Sequence, residues 1–213
     1  MTKRLFLMMF VSLMMVFGFN SCSCDREDKT NNLNGEQAEL VVENLISADR
    51  EYMYLNHGGD YRWYETCITL KDWLDSEECD GTVESVASVF QYLENTDETS
   101  SDVRVVLTAH TRDTNAIETR FGFWVGDFPL NEETICINFA QAFERLQEAN
   151  CPKPHSRHCV LRREIGPVAD VAPQYIFGNQ SAQVYVDAKT GEVSTENPAF
   201  KGFGFKMPLG EWP

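Results

Sequence analysis

The sequence predicts an α+β fold made of two successive units, in each of which a helix is followed by antiparallel strands. Three observations lead to this prediction. Asn34 and Asn138 each begin a helix-start pattern, with a glutamine three residues later and apolar residues at helical spacing after it. Runs rich in β-branched and aromatic residues follow each helix. The length of 213 residues suits one good-sized domain or two small ones.

The first unit spans residues 34–127. Its helix is expected from about residue 35 to 54, where apolar residues recur every three or four positions. A break at 57–60 precedes a strand from Tyr61 to Leu70, and residues 75–81 form an acidic turn that we expect to be solvated. Residues 83–93 fit one face of a helix as well as a strand, and their Val, Ser and Phe content favours the strand.

A hairpin completes the first unit. Val103, Val105, Leu107 and Ala109 share one face of a strand, and residues 112–115 form the turn. One face of the return strand carries Ile117, Thr119, Phe121, Phe123 and Val125. His110 falls on the side opposite Val105, together with Thr108. We therefore expect His110 to lie on a solvated polar face.

The second unit spans residues 138–195. A short amphipathic helix begins after Asn138 and ends before Pro152, because proline disfavours a helical residue in front of it. Strands are expected at 158–165, 174–177 and 182–186, and the last turns at 188–191 into Glu192 and Val193. Residues 196–213 form an aromatic tail that glycine and proline interrupt.

The segment Val184-Tyr-Val-Asp-Ala-Lys-Thr-Gly-Glu-Val193 resembles the closing hairpin of PepSY-type domains, and the helix before it stands where theirs does. The resemblance covers about residues 138 to 195. It implies a cystatin-like helix packed on a curved antiparallel sheet, in a secreted protein that inhibits peptidases or binds a partner. The fold class expected for the whole chain is then two cystatin-like or PepSY-like units in tandem.

Residues 1–21 have the layout of a secretory signal. Lys3 and Arg4 precede an uncharged apolar run from residue 5 to 19. As a helix this run would rise about 22 Å, which is shorter than the hydrocarbon core of a bilayer. Small Ser21 stands directly before Cys22, and an acidic tether at 22–33 follows. The segment resembles a Bacteroidetes-type lipoprotein signal, which implies lipidation of Cys22 and attachment to the outer membrane, with exposure at the cell surface left open.

Ordinary secretion with cleavage nearby is the alternative, and Cys24 is the other candidate anchor.

The formal net charge of -15 makes nucleic acid an unsuitable partner, because an acidic surface repels phosphates. The expected partners are therefore the membrane, through the anchor, and a protein or glycan ligand.

Six further cysteines remain if Cys22 carries the lipid, and disulfides are permitted outside the cytoplasm. Cys151 with Cys159 would close the smallest loop, and Cys67 with Cys79 is the next candidate pair. The alternative is that these residues are free, partly buried thiols.

The densest group of chemically active residues is Cys151, His155, His158 and Cys159. Zinc accepts two thiolates and two imidazoles, but adjacent residues of a strand point to opposite faces, so His158 and Cys159 would diverge. A disulfide loop is the main expectation here, and a metal-binding or hydrolytic protein is the alternative function. No cofactor is expected.

Aromatic residues indicate a binding role. Tyr61, Trp63 and Tyr64 follow the first helix, and aromatic side chains with polar handles suit protein or glycan surfaces. Core packing is the competing interpretation. The sequence therefore predicts a non-enzymatic, lipid-anchored binding protein or peptidase inhibitor, with a glycan-binding accessory lipoprotein as the further alternative.

Overall fold

The computed structural model describes residues 40–92, 104–111, 115–121, 128–164, 166, 168 and 171–202. The signal at 1–21, the tether at 22–33, the Asn34 helix start and the tail beyond 202 lie outside these residues. The helices are α1 (Val42–His57) and α2 (Phe139–Glu148). The strands are β1 (Tyr61–Leu70), β2 (Val83–Tyr92), β3 (Arg104–Thr111), β4 (Asn115–Phe121), β5 (His158–Arg162), β6 (Gln174–Asn179), β7 (Ala182–Asp187) and β8 (Val193–Ser194).

Within the described residues, eight strands form one antiparallel sheet in the order β4-β3-β2-β1-β5-β6-β7-β8, in which β8 has only two residues. β1 and β5 pair in the middle, from Glu65 opposite Arg162 to Thr69 opposite His158. In each half a helix precedes four strands that pair in chain order. The predicted α+β class with an antiparallel sheet is confirmed, whereas the identity of each half as a cystatin-like unit stays a prediction.

Helix α1 starts later than expected. Val41 is extended, with φ -87° and ψ 111°, and no side chain caps the helix there. A helix that runs unbroken from residue 35 is therefore wrong. The β-branched pair Val41 and Val42 disfavours helix without a cap, and α1 gains its stability from a buried stripe that starts at Val42 and continues through Ile46, Asp49 and Met53.

Helix α2 follows its local signals closely. The Asn138 side chain accepts the backbone N–H of Gln141, and the Gln141 side chain accepts the backbone N–H of Asn138. This reciprocal capping box satisfies two donors that a bare helix end leaves unpaired. Glu43 of α1 also accepts the N–H of Phe139, so the two helices meet at the start of α2.

The strand predictions of the first unit are confirmed. β1 has the expected bounds, and 83–92 is a strand that pairs with both β1 and β3. β3 and β4 pair antiparallel. Of the predicted turn at 112–115, residues 112–114 lie outside the described range and Asn115 begins β4. β1 carries a bulge at Tyr64, between Trp63 and Glu65.

One hydrophobic core joins both halves, on the face of the sheet that the helices cover. Along one row across the sheet, Val86, Ile68, Cys159, Phe177 and Val184 lie opposite one another on β2, β1, β5, β6 and β7, and all are buried. Residues of α1 and α2 belong to the same cluster. The two predicted units therefore share one core and one sheet.

Candidate functional site

A surface cleft of about 330 Å³ lies where the end of β1 meets the loop before β5. This volume is at the small end of the range for ligand sites. Its lining comes from β1, the 71–82 loop, the loop before β5, the first residue of β5, and the end of β6. The lining residues are Thr69, Trp73, His155, Ser156, Arg157, His158 and Asn179.

A stacked pair of rings forms the centre of the cleft. The rings of Trp73 and His155 are 4.2 Å apart and nearly parallel, at 6°. Nδ1 of His155 lies 2.9 Å from a carboxylate oxygen of Asp75, which holds the imidazole in its orientation. Trp73 is 47% exposed, so the stack presents a flat aromatic surface to solvent.

Backbone contacts fix the two loops that carry this stack. Leu74 is buried in the core and donates its N–H to the carbonyl of Ser156 at 2.8 Å. Leu70 donates to the carbonyl of Arg157, and Arg157 Nε donates back to the carbonyl of Leu70. Arg157 also pairs with Glu84. The cleft is therefore held in shape by contacts on both of its sides.

Pro154 and Gly178 pack together beneath the cleft. A Cβ on Gly178 would lie 2.1 Å from the carbonyl oxygen of Ala182 and 3.0 Å from Cβ of Pro154. The φ of Gly178 is +121°, which side-chain-bearing residues rarely adopt. The close approach of β6, β7 and the loop before β5 therefore requires glycine here.

The predicted Cys/His cluster does not converge. Cys159 is fully buried on the core face, whereas His158, the residue before it, is exposed on the other side of the strand. Within the described ranges, no three His, Cys, Asp or Glu side chains are placed to share a metal ion. The metal-site alternative on Cys151, His155, His158 and Cys159 is therefore not supported by the geometry, because strand alternation places His158 and Cys159 on opposite faces.

Neither predicted disulfide pair is bonded, since Cys67, Cys79, Cys151 and Cys159 are all free. Cys79 and Cys151 pack against the core from loops. Cys67 lies opposite Val160 on the face away from the helices, where its thiol contacts Glu65. The expected pairs fail because sheet alternation and loop placement separate their members.

Thiol labelling should reveal this arrangement. Burial raises the pKa of Cys67 to about 12, with a further rise from Glu65, and burial raises the pKa of Cys159 well above its ordinary value. Only the thiolate reacts, and a thiol of pKa 12 is ionised in roughly one molecule in ten thousand at pH 8. We expect iodoacetamide at pH 8 to modify Cys67 and Cys159 at least about a hundredfold more slowly than free cysteine.

In urea without reductant, peptide mapping should find all four thiols modified. The rate at Cys67 should rise with pH towards 12, because its thiolate forms only there. Recovery of a peptide that joins Cys151 to Cys159, or Cys67 to Cys79, would contradict the structure.

The aromatic residues predicted to bind a ligand are largely internal. Trp63 and Tyr64 are each 5% exposed, and Trp63 Nε1 donates to the hydroxyl of Thr66 at 2.9 Å. Burial also raises the pKa of Tyr64. Tyr61 is half-buried between His57 and Tyr92. A binding surface on Trp63 and Tyr64 is therefore wrong, because both side chains are almost completely buried and Trp63 belongs to the hydrophobic core.

His110 is also internal, contrary to the expectation of a solvated face. It is 7% exposed, and its Nε2 lies 2.6 Å from Asp49 Oδ1. Thr108 donates to the other oxygen of Asp49 at 2.5 Å. The polar side of β3 faces α1, so helix packing converts it into a buried polar network.

A second charged cluster lies on the face of the sheet away from the helices. Arg162 pairs with Glu164 at 2.7 Å and approaches Glu65 at 3.6 Å, and Asn197 donates to Glu164. Burial alone would lower the pKa of Arg162, but the two carboxylates raise it. Burial, together with Glu164, raises the pKa of nearby Tyr185 to about 12. These groups satisfy one another and hold the chain around residue 197 against the sheet.

Of the residues that line the cleft, the sequence singled out His155 and His158. Asp75 begins the stretch that was expected to be a solvated acidic turn, and Trp73 lies just before it. Asn179 is the last residue of β6. A tryptophan in a run of acidic residues could have marked the site, because it places a large apolar ring in a stretch whose acidic side chains favour solvent. Its contact with His155 joins segments far apart in the chain.

Neither α1 nor α2 of the described chain is long and apolar enough to cross a bilayer. Comparison with protein-family models, curated proteins and solved structures finds no match to this chain.

Proposed function

We propose that this protein is a lipid-anchored component of the cell envelope that binds a ligand without catalysing its conversion. In this proposal the acylated residue is Cys22, and the two halves are cystatin-like units, the second of PepSY type. The repeated order of one helix and four strands is consistent with that assignment. The observation that carries the binding role is the rigid, solvent-facing stack of Trp73 on His155.

The groups around the cleft are better suited to holding a ligand than to attacking it. Ser156 is 2% exposed, and its hydroxyl accepts the backbone N–H of His158. Cys159 is buried on the other side of the strand, and Asp75 is committed to His155. Nucleophilic catalysis needs an accessible nucleophile beside a base, which makes the hydrolytic alternative on His155 and His158 the weaker one.

Detergent partitioning tests the anchor. The full chain should enter the detergent-rich phase of Triton X-114, and Cys22→Ala should move it to the aqueous phase, because acyl chains supply the membrane affinity. Cys24→Ala is the matched control and should partition like the natural chain. Loss of partitioning in Cys24→Ala, or its retention in Cys22→Ala, would contradict the assignment of Cys22.

Photo-cross-linking in intact cells tests the cleft. A benzophenone amino acid at position 73 should give a reproducible adduct, whereas the same probe at Tyr54, which is 69% exposed on α1, should not. Equal adducts at both positions would contradict a binding role for the cleft. Hydrolysis by the purified protein that disappears in His155→Ala or His158→Ala would contradict the non-catalytic proposal.

A further inference from the structure

The cleft has two further features that bear on the class of its ligand: a single exposed aromatic platform and a border of uncharged polar side chains. His155 covers one face of the Trp73 ring. The exposed 47% of Trp73 therefore leaves the opposite face and the outer edge for a ligand. An aromatic face is electron-rich and attracts polarised C–H groups.

The polar border is suited to hydroxyl groups. Thr69, His158 and Asn179 line the cleft, and between them they offer donors and acceptors of hydrogen bonds. The Thr69 hydroxyl lies 3.5 Å from Nδ1 of His158, and the Asn179 amide donates to the carbonyl of His155 at 3.5 Å. These groups are thus already oriented before a ligand arrives, which lowers the entropy lost on binding.

The backbone around the cleft disfavours an extended peptide. β1 and β5 pair with each other through Thr69 and His158, and each has another strand on its far side. A peptide that adds to a sheet needs an unpaired strand edge, which supplies most of its affinity. At this position the strands offer none, so recognition depends on ring stacking and on side-chain hydrogen bonds.

The local charge disfavours an anionic ligand. The loop from 71 to 82 carries five acidic residues and one lysine, and the one arginine of the cleft is occupied by Glu84 and by the carbonyl of Leu70. The lining itself contains no carboxylate, and the carboxylate of Asp75 is paired with His155, so no lining side chain offers a negative charge to a cation. The chemistry therefore selects an uncharged ligand that has both C–H faces and hydroxyl groups.

We infer that the cleft binds a neutral glycan, with one sugar ring stacked on Trp73 and its hydroxyl groups bound by Thr69, His158 and Asn179. This inference rests on the binding role proposed above and names its ligand class. The cleft volume of about 330 Å³ accommodates one or two sugar rings, and the rest of a longer chain would extend into solvent.

The detergent-solubilised full chain should be screened against a panel of neutral oligosaccharides of hexoses and N-acetylhexosamines, with sulfated oligosaccharides and a lysine-rich peptide as comparisons. At least one neutral oligosaccharide should bind with a dissociation constant below 1 mM, a bound that corresponds to about -4 kcal/mol or tighter. Binding should change less than twofold between 0.05 and 0.5 M NaCl, because an uncharged ligand releases no counterions.

Trp73→Ala should weaken that binding at least tenfold, and Asn179→Ala should weaken it severalfold. Trp73→Phe should retain part of it, because phenylalanine keeps a ring face. Tyr54→Ala is the matched control, an exposed aromatic residue outside the cleft, and should bind like the natural chain. Circular dichroism should show that all four variants are folded, as expected for exposed side chains.

Failure of every neutral oligosaccharide at 5 mM would overturn the inference, as would preferential, salt-dependent binding of the sulfated sugars or the peptide. If the cross-link at position 73 persists in that case, the binding role stands and only the ligand class is wrong. If the cross-link is also lost, the binding role itself fails.

Discussion

Replacing Asp49 by alanine is expected to lower the free energy of unfolding by about 3–5 kcal/mol. Asp49 is 3% exposed and stands in the middle of the buried stripe of α1. Its two carboxylate oxygens contact Nε2 of His110 and the hydroxyl of Thr108. Truncation removes both contacts at once and leaves polar groups in a water-excluded layer, where each costs about 1–3 kcal/mol.

The contacts continue beyond Asp49 across three strands. Thr108 accepts the backbone N–H of Ser88, the hydroxyls of Ser88 and Thr66 lie 2.9 Å apart, and Thr66 accepts from Trp63. These buried polar groups satisfy one another only while α1 is seated over them. Loss of Asp49 should therefore loosen the whole helix, because it removes the link between α1 and this row.

Urea unfolding followed by far-UV circular dichroism measures the effect. Glu51→Ala changes an exposed acid of the same helix and should alter stability by less than about 0.5 kcal/mol. Asp49→Asn keeps the shape of the side chain and one hydrogen-bond acceptor. Its loss of stability should therefore lie between those of Asp49→Ala and Glu51→Ala. The double variant Asp49→Ala/His110→Ala should lose less free energy of unfolding than the two single variants lose in sum. Similar stabilities for Asp49→Ala and Glu51→Ala would show that α1 is not held by this network.

Substituting Gly178 by alanine is expected to destabilise the protein by at least about 3 kcal/mol. Alanine would have to adopt a φ of +121°, and its Cβ would overlap the carbonyl oxygen of Ala182 at 2.1 Å. Relief of this overlap requires β6 and β7 to separate where Gly178 pairs with Gln183. The side chain of Pro154 blocks part of the remaining space, since its Cβ would lie 3.0 Å from the added Cβ.

Gly58→Ala provides the matched control. Gly58 also has a positive φ, +82°, but a Cβ there meets nothing within 4 Å. Gly58→Ala should therefore lower the free energy of unfolding only by the cost of the unfavourable φ, about 1–3 kcal/mol. The difference in free energy between the two variants then reports the overlap between β6 and β7. Equal destabilisation in urea titrations would contradict the close packing at Gly178. The Gly178 variant should also change the near-UV dichroism of Trp73, because Pro154 precedes His155 in the loop that the stack depends on.

Helix α2 and several strands form where their local sequence patterns predict them. The cap at Asn138, the apolar positions Phe139, Ala142, Phe143 and Leu146, and the stop before Pro152 lie within one short segment. The information for that helix is therefore contained in its own residues. The same holds for β1 and for the pairing of β3 with β4, which are separated by only three residues of the chain. Local pattern failed at the start of α1, where no side chain provides a cap.

Exposure was less predictable than secondary structure. Trp63, Tyr64 and His110 each lie in a strand that was correctly predicted, yet all three are buried. Alternation along a strand separates its two faces, but it does not say which face another element covers. The bulge at Tyr64 also shifts the alternation within β1. Only the placement of α1 over the sheet decides that His110 meets Asp49.

The sequence by itself determined the α+β class, the helix and strand segments apart from the start of α1, the acidic composition, and a lipoprotein-like start that stays a prediction. The tertiary structure decided that the halves share one sheet through β1 and β5, and it separated the members of the Cys151–Cys159 cluster. It also brought Trp73 and Asp75 to His155, residues that no local pattern relates. The physical reason is the range of the interactions: caps and turns act within a few residues, whereas strand pairing and side-chain packing join distant segments.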